Sequence, residues 1–122
     1  MTTDKLLKAP PDMNDLIADT KLWAIGKGIY EYSNYIKQFE KFEEEVGELK
    51  HEIELLKTNH AEADKHKIAS EAGDVIVTLI NTLHFLDLDL PDCLQIAYDK
   101  ISKRTGNMID GKFVKVKLVG DE

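Results

Sequence analysis

Only one cysteine, Cys93, occurs in the 122 residues. That excludes an internal disulfide and fits a reducing compartment. It also leaves zinc without a thiolate pair, and no two of His51, His60, His66 and His84 stand at the i,i+4 spacing of a helical zinc motif. The first three histidines read as surface residues, and His84, in an apolar stretch, as a satisfied core histidine. No apolar run approaches the ~18 residues needed to cross a bilayer. The opening Met1-Thr2-Thr3-Asp4-Lys5 lacks the regions of a signal peptide, so the expectation is a cytoplasmic protein. Positive charge is scarce: 16 Lys and Arg stand against 23 Asp and Glu, a net charge of −7. Non-specific nucleic-acid affinity depends on cations meeting phosphates, so the balance argues against a general nucleic-acid binder. A small anion carried in with a metal stays open. Internal repeats and low-complexity segments are absent too.

What remains is a composition of 43% hydrophobic and 32% charged residues, that of one globular domain rich in helix formers. Residues 1–12 read as a flexible lead, 13–106 as a helical domain and 107–122 as a C-terminal hairpin and tail. Pro10-Pro11 blocks a helix upstream, and Asp12 or Asn14 can cap one running from Met13 to about Trp23. Ala24 to Ile29, with Gly26 and Gly28, reads as a break. A second helix starts near Ser33 or Asn34, with apolar residues at Tyr35, Phe39, Phe42, Val46, Leu49, Ile53 and Leu56. Those gaps alternate four and three, an unbroken heptad seam. After a polar connection at 58–64, a third helix runs from Asp64 to Leu86. Its stretch Val75 to Leu83 has almost no solvated face and must be buried all round, which implies a subunit interface. Pro91 suits the first turn of a fourth helix, 91–104, burying Leu94, Ile96 or Ala97, Tyr98 and Ile101, with Gly106 as its stop. Asp110-Gly111 between short apolar runs signals a hairpin, continued by alternation through Val119.

The second and third helices carry the chemistry. Residues three and four apart share a helix face, so Glu45 neighbours Glu48, Glu44 joins them from the side, and Glu71 neighbours Asp74. Projected at about 100° per residue, Glu71, Asp74, Thr78 and Asn81 form one polar stripe that loses its charge beyond Asp74. Acids heading a stripe otherwise fit for burial are costly unless they bind something. Packed together, the two groups would push each other's pKa up until a proton or a cation intervenes. Hard Mg²⁺, which prefers carboxylate oxygens at about 2.1 Å, resolves that conflict. The bland alternative is a solvated face in an acidic protein, since Glu40, Glu43, Glu52 and Glu54 put glutamates on several sides of the same helix. Gly47 and Gly73, each inside an acidic pair, suggest close backbone approach. Lys100, Lys103 and Arg104 read either as a favourable cationic helix end or as phosphate ligands. Trp23 and Tyr30 read as core or interface residues, either able to stack on a base, and Cys93 as packed.

Glu44-Glu45-Val46-Gly47-Glu48-Leu49, followed after 21 residues by Glu71-Ala72-Gly73-Asp74, resembles the EExxE…ExxD signature of the MazG-like nucleotide pyrophosphohydrolases. Ala97-Tyr98-Asp99-Lys100-Ile101 and the run from Lys103 through Lys115 are similar to short bacterial or phage-encoded members, as are Trp23 and Gly28-Ile29, with Lys27 where such members often have arginine. The resemblance covers about 20 to 117. It implies an all-α, four-helix-bundle-like MazG fold with a short C-terminal hairpin, assembled as a homodimer or homotetramer. It also implies metal ligation by Glu45, Glu48, Glu71 and Asp74, with Glu44 holding a second ion or orienting water. Asn81, Lys100 and Arg104 would lie near the phosphates, with Trp23 and Gln38 in a nucleobase pocket shared with a partner subunit. The implied reaction takes a nucleoside triphosphate and water to the monophosphate and diphosphate with two or more Mg²⁺ (or Mn²⁺) ions. Two other readings stay open: a non-catalytic helical binding module, and a metal-dependent hydrolase of another phosphorylated metabolite.

Overall fold

The computed structural model describes residues 11–58 and 64–116. Five helices and a hairpin occur among them: α1 (Met13–Gly26), α2 (Ile29–Tyr32), α3 (Tyr35–Thr58), α4 (Lys65–Phe85), α5 (Leu90–Ile101), β1 (Gly106–Ile109) and β2 (Lys112–Lys115). None of these helices is long and apolar enough to cross a membrane. Contacts divide the chain into two compact units, residues 1–88 and residues 89–122.

Capping chemistry sets the helix starts. The Asp12 carboxylate accepts from the backbone N–H of Asn14 at 2.8 Å and of Asp15 at 3.2 Å, opening α1. Asn34 does the same for α3 through Lys37 N–H at 2.9 Å, and Asp64 for α4 through His66 and Lys67 at 2.9 and 3.3 Å. The expected break at Ala24–Ile29 shrinks to Lys27-Gly28: α1 continues to Gly26, with Ala24 fully buried. Gly28, at φ +78°, turns the chain into the single turn of α2.

In the first unit α3 packs along α4. Glu52 meets Lys67 near one end, while Glu45 meets Glu71 and Asp74 further on, so the two helices run antiparallel. Few apolar side chains lie inside: Ile17, Ala24 and Ile80 are the buried hydrophobic residues among those described. Buried polar residues outnumber them, namely Glu45, Glu52, Thr78, Asn81 and Thr82. Thr78 and Thr82 donate their hydroxyls back to helix carbonyls, Thr82 to Thr78 at 2.8 Å, which satisfies them without outside partners.

The heptad seam of α3 is therefore only half inward. Phe42, Leu49 and Leu56 are half-buried beside Glu45 and Glu52, whereas Tyr35, Phe39, Val46 and Ile53 are exposed. Periodicity found the apolar rows and missed that acids occupy the centre of the packed face. Ile76 on α4 is also exposed, so the chain alone does not bury that helix all round. A Cβ at Gly47 or Gly73 would meet nothing within 4 Å, so neither glycine marks a close approach within the chain. His84 is exposed, its ring stacked on Tyr30 at 3.6 Å, rather than a core histidine.

The second unit holds α5 and the hairpin. Helix α5 ends at Ile101 with Ser102 as its cap, and Gly106 opens β1 instead of stopping the helix. Leu94, Ile96, Tyr98 and Ile101, expected to be buried, are exposed, while Cys93 and Ala97 are half-buried. The hairpin pairs Ile109 with Lys112 and Gly106 with Lys115. Asp110 and Gly111 both take positive φ, 50° and 79°, as the tight turn requires. The lead up to residue 10, the connection at 59–63 with His60, and the alternation past Val116 lie outside the described residues.

Candidate metal centre

Glu45 projects from α3 and Glu71 and Asp74 from α4, at the level where the two helices cross. One carboxylate oxygen from each lies within 4.8 Å of the others. Glu45 is buried, Glu71 half-buried and Asp74 exposed, so the cluster is open on one side. Oε2 of Glu45 and Oε2 of Glu71 are both buried and have no hydrogen-bond partner among the described residues. An orphaned buried carboxylate oxygen on each of two clustered acids is strongly unfavourable without a cation or a proton. Three hard oxygen donors from two rigid helices, with an open side for water or an anion, match the needs of a divalent ion such as Mg²⁺.

The electrostatics agree. Burial pushes the Glu45 carboxyl above its usual range, and the adjacent Glu48 carboxylate pushes it further, against a smaller opposing pull from Lys41. Lys41 bridges the neighbours, its Nζ 3.2 Å from Glu44 Oε1 and 3.4 Å from Glu45 Oε1. Its hydrogen bond to Glu44 is the main reason its own pKa is raised. Of the five acids expected at the site, Glu45, Glu71 and Asp74 thus converge, Glu48 contacts Glu45 from an exposed position, and Glu44 faces solvent paired with Lys41.

A cavity of about 450 Å³ adjoins the acids and is lined by both Glu45 and Asp74. Trp23, Gln38 and Asn81, expected to bind substrate, all line it. So do Lys37 and Lys41, which sequence reasoning passed over; their spacing one turn apart and one turn before Glu45 was the available signal. Trp23, Ile29 and Val77 supply the apolar wall. Beyond the acids lies a second hollow of about 460 Å³, bordered by Glu44, Glu48, Glu71, His51 and the Glu52–Lys67 pair. Glu52, one of the glutamates that favour a solvated face on spacing alone, is buried and held by Lys67 at 3.4 Å. Lys100 lies in the last turn of α5, and Lys103 and Arg104 just beyond its cap, all in the second unit.

No curated protein and no solved structure matches the chain. The family profile described as the MazG nucleotide pyrophosphohydrolase domain does match, over residues 34–109. That span is more than half of the chain and contains α3, α4, α5 and β1, with every acid of the cluster. The chain therefore belongs to the MazG nucleotide pyrophosphohydrolase domain family.

Proposed function

We propose that the protein is a Mg²⁺-dependent nucleoside triphosphate pyrophosphohydrolase, converting a (d)NTP and water to the (d)NMP and diphosphate in nucleotide-pool control or housecleaning. The observation that carries this reading is the pair of orphaned carboxylate oxygens on Glu45 and Glu71, set beside a cavity with an aromatic wall, two amides and two lysines. Glu45, Glu71 and Asp74 would hold the metal, with Glu48 completing the set and Glu44 orienting water or a further ion. Two or more Mg²⁺ (or Mn²⁺) ions bound there would supply an activated water and offset charge on the phosphoryl oxygens.

The chain's own side chains do the rest. Trp23 offers a face for base stacking against the apolar wall. Gln38 and Asn81 present polar groups in the same cavity, and Lys37 and Lys41, which also line it, would offer their ammonium groups to a polyphosphate. Lys100 and Arg104 on the second unit are further candidates for phosphate contacts. Because the ions reverse the local field, a protein of net charge −7 can accept a polyanion. We further infer a homodimer or homotetramer. The exposed row of Tyr35, Phe39, Val46 and Ile53 supports it, since so large an apolar strip on one helix is rarely left in water.

The test is a panel of canonical and modified (d)NTPs with Mg²⁺, scored by the monophosphate formed and by diphosphate against orthophosphate. Monophosphate with diphosphate is expected. Orthophosphate from other phosphorylated metabolites would move the reading to a different hydrolase. No turnover and no response of thermal stability to Mg²⁺ would leave a helical binding module.

A further inference from the structure

Asn81 has the largest fully buried side chain among the described residues, 2% exposed, yet it lines the cavity beside the acids. Its two amide ends are treated differently. Oδ1 accepts a hydrogen bond of 2.8 Å from the Tyr30 hydroxyl, brought from 51 residues away in sequence. No hydrogen bond from the amide nitrogen is found among the described residues, and it is not one of their fully enclosed unpartnered atoms, so on the cavity wall it is open to a ligand acceptor.

Tyr30 is held firmly enough to set that choice. Its ring stacks on His84 at 3.6 Å with an interplanar angle of 13° and meets Phe85 edge-on at 5.7 Å. Burial raises the phenol's pKa, so the hydroxyl stays a donor through the neutral range. The hydroxyl can also accept, but a flipped amide would take from the phenol hydrogen the acceptor it has in Oδ1, which favours the observed orientation. Gln38 is set in the complementary sense. Its Nε2 donates to Ser33 Oγ at 3.0 Å, leaving its carbonyl oxygen for the cavity.

Resting on the nucleotide reading above, we propose that Tyr30 is a positioning residue that locks the Asn81 amide with its nitrogen toward the cavity, so that this wall donates a hydrogen bond to an acceptor atom on the nucleoside part of the substrate. Asn81 then selects for an acceptor at that place and Gln38 for a donor, a pairing that a nucleobase edge supplies. The lock works through Asn81, and it assigns Asn81 to the nucleoside where the family resemblance implied the phosphates.

The experiment uses the full chain and compares Tyr30→Phe, Asn81→Asp and wild type on the best triphosphate from the panel. Steady-state kinetics are paired with the Asn81 side-chain N–H₂ resonances while the nucleoside 5′-monophosphate product is titrated in. Tyr30→Phe should raise KM about 3- to 10-fold with kcat within about twofold of wild type, the scale of one hydrogen bond. Asn81→Asp, which turns the donor into a charged acceptor but keeps the Tyr30 contact, should raise KM at least about 30-fold. The Asn81 resonances should shift on titration in wild type and less in Tyr30→Phe. If Tyr30→Phe lowers only thermal stability, with KM and those shifts unchanged, the bond is structural and the proposal is overturned. A wild type that neither turns over nor binds any nucleotide would instead remove the functional reading underneath.

Discussion

On α3 the face against α4 carries Glu45 and Glu52, both buried, while the row one residue round the helix carries Tyr35, Phe39, Val46 and Ile53, all exposed. An ordinary surface helix has these characters the other way about. Hydrophobic burial within the chain cannot explain the arrangement, because it moves apolar area outward and carboxylates inward. Each face is intelligible once a missing partner is allowed for: a cation for the acids, and a second copy for the apolar row. The two faces also differ in how they close. Glu52 is satisfied by Lys67 within the chain, whereas Glu45 and Glu71 each keep an oxygen with nothing to bond.

The sharpest way to break the comparison is to remove charge from the inward face. Glu48→Gln or Asp74→Asn should reduce diphosphate release by about 10³-fold or more, since metal-held charge stabilisation is the main catalytic resource such a site has. The helical circular dichroism should be unchanged, because neither side chain is buried. Near-wild-type turnover in both variants would mean the acids are not the reaction centre.

The outward face comes next. Ile53→Lys puts a charge into the apolar row at a distance from the acids, and a buried unpaired charge costs about 2–5 kcal/mol at an interface. Self-association measured by light scattering should weaken by at least about 30-fold. Should wild type already be monomeric at tens of micromolar, a second copy is not what covers that row.

Much of this was legible in the residues. The Asp12 and Asn34 caps, each one of two candidates, and the Asp110-Gly111 turn follow from local rules and stand where those rules put them. Asp64, expected as the start of its helix, caps it instead, and of the acids paired by spacing Glu45, Glu71 and Asp74 converge while Glu48 stays exposed. The orientation of α3 was not legible. Phe42, Leu49 and Leu56 lie on one side of its seam and Phe39, Val46 and Ile53 on the other, and spacing alone cannot say which side meets α4. Tyr30 was legible only as a core or interface aromatic able to stack on a base, since its bond to Asn81 spans 51 residues and depends on the bend at Gly28. The same holds for Lys67 and Glu52, a pair that exists only once the two helices are antiparallel.

Metal loading should narrow the contrast between the faces. Adding Mg²⁺ or Mn²⁺ at about a hundred times its dissociation constant adds about 2.7 kcal/mol to the native state. In a chain of this size that is a rise in Tm on the order of 10 °C, reversed by a chelator. Asp74→Asn should lose most of the rise. A shift of equal size in that variant would place the ion elsewhere.

The smallest effect is the pH dependence of the metal-free protein, and its sign separates Glu45 from an ordinary surface acid. In the folded chain the Glu45 pKa is raised, by burial first and by Glu48 second. Between the unfolded value and that raised one, the native state therefore binds more protons than the unfolded state. Linkage then makes stability fall as pH climbs through the window, with the favourable contribution fully present only below the unfolded pKa. A carboxylate stabilised by Lys41 alone would give the opposite slope. Chemical denaturation in chelator across the carboxylate range should show the decline in wild type. Glu45→Gln should flatten it, because a neutral amide has no proton to lose, and saturating Mg²⁺ should reverse it, because the ion binds the deprotonated form. A wild-type stability that instead rises with pH through that range would show that the crowding of Glu45 against Glu48 is relieved without any ion, and the inward acids would then need no cation at all.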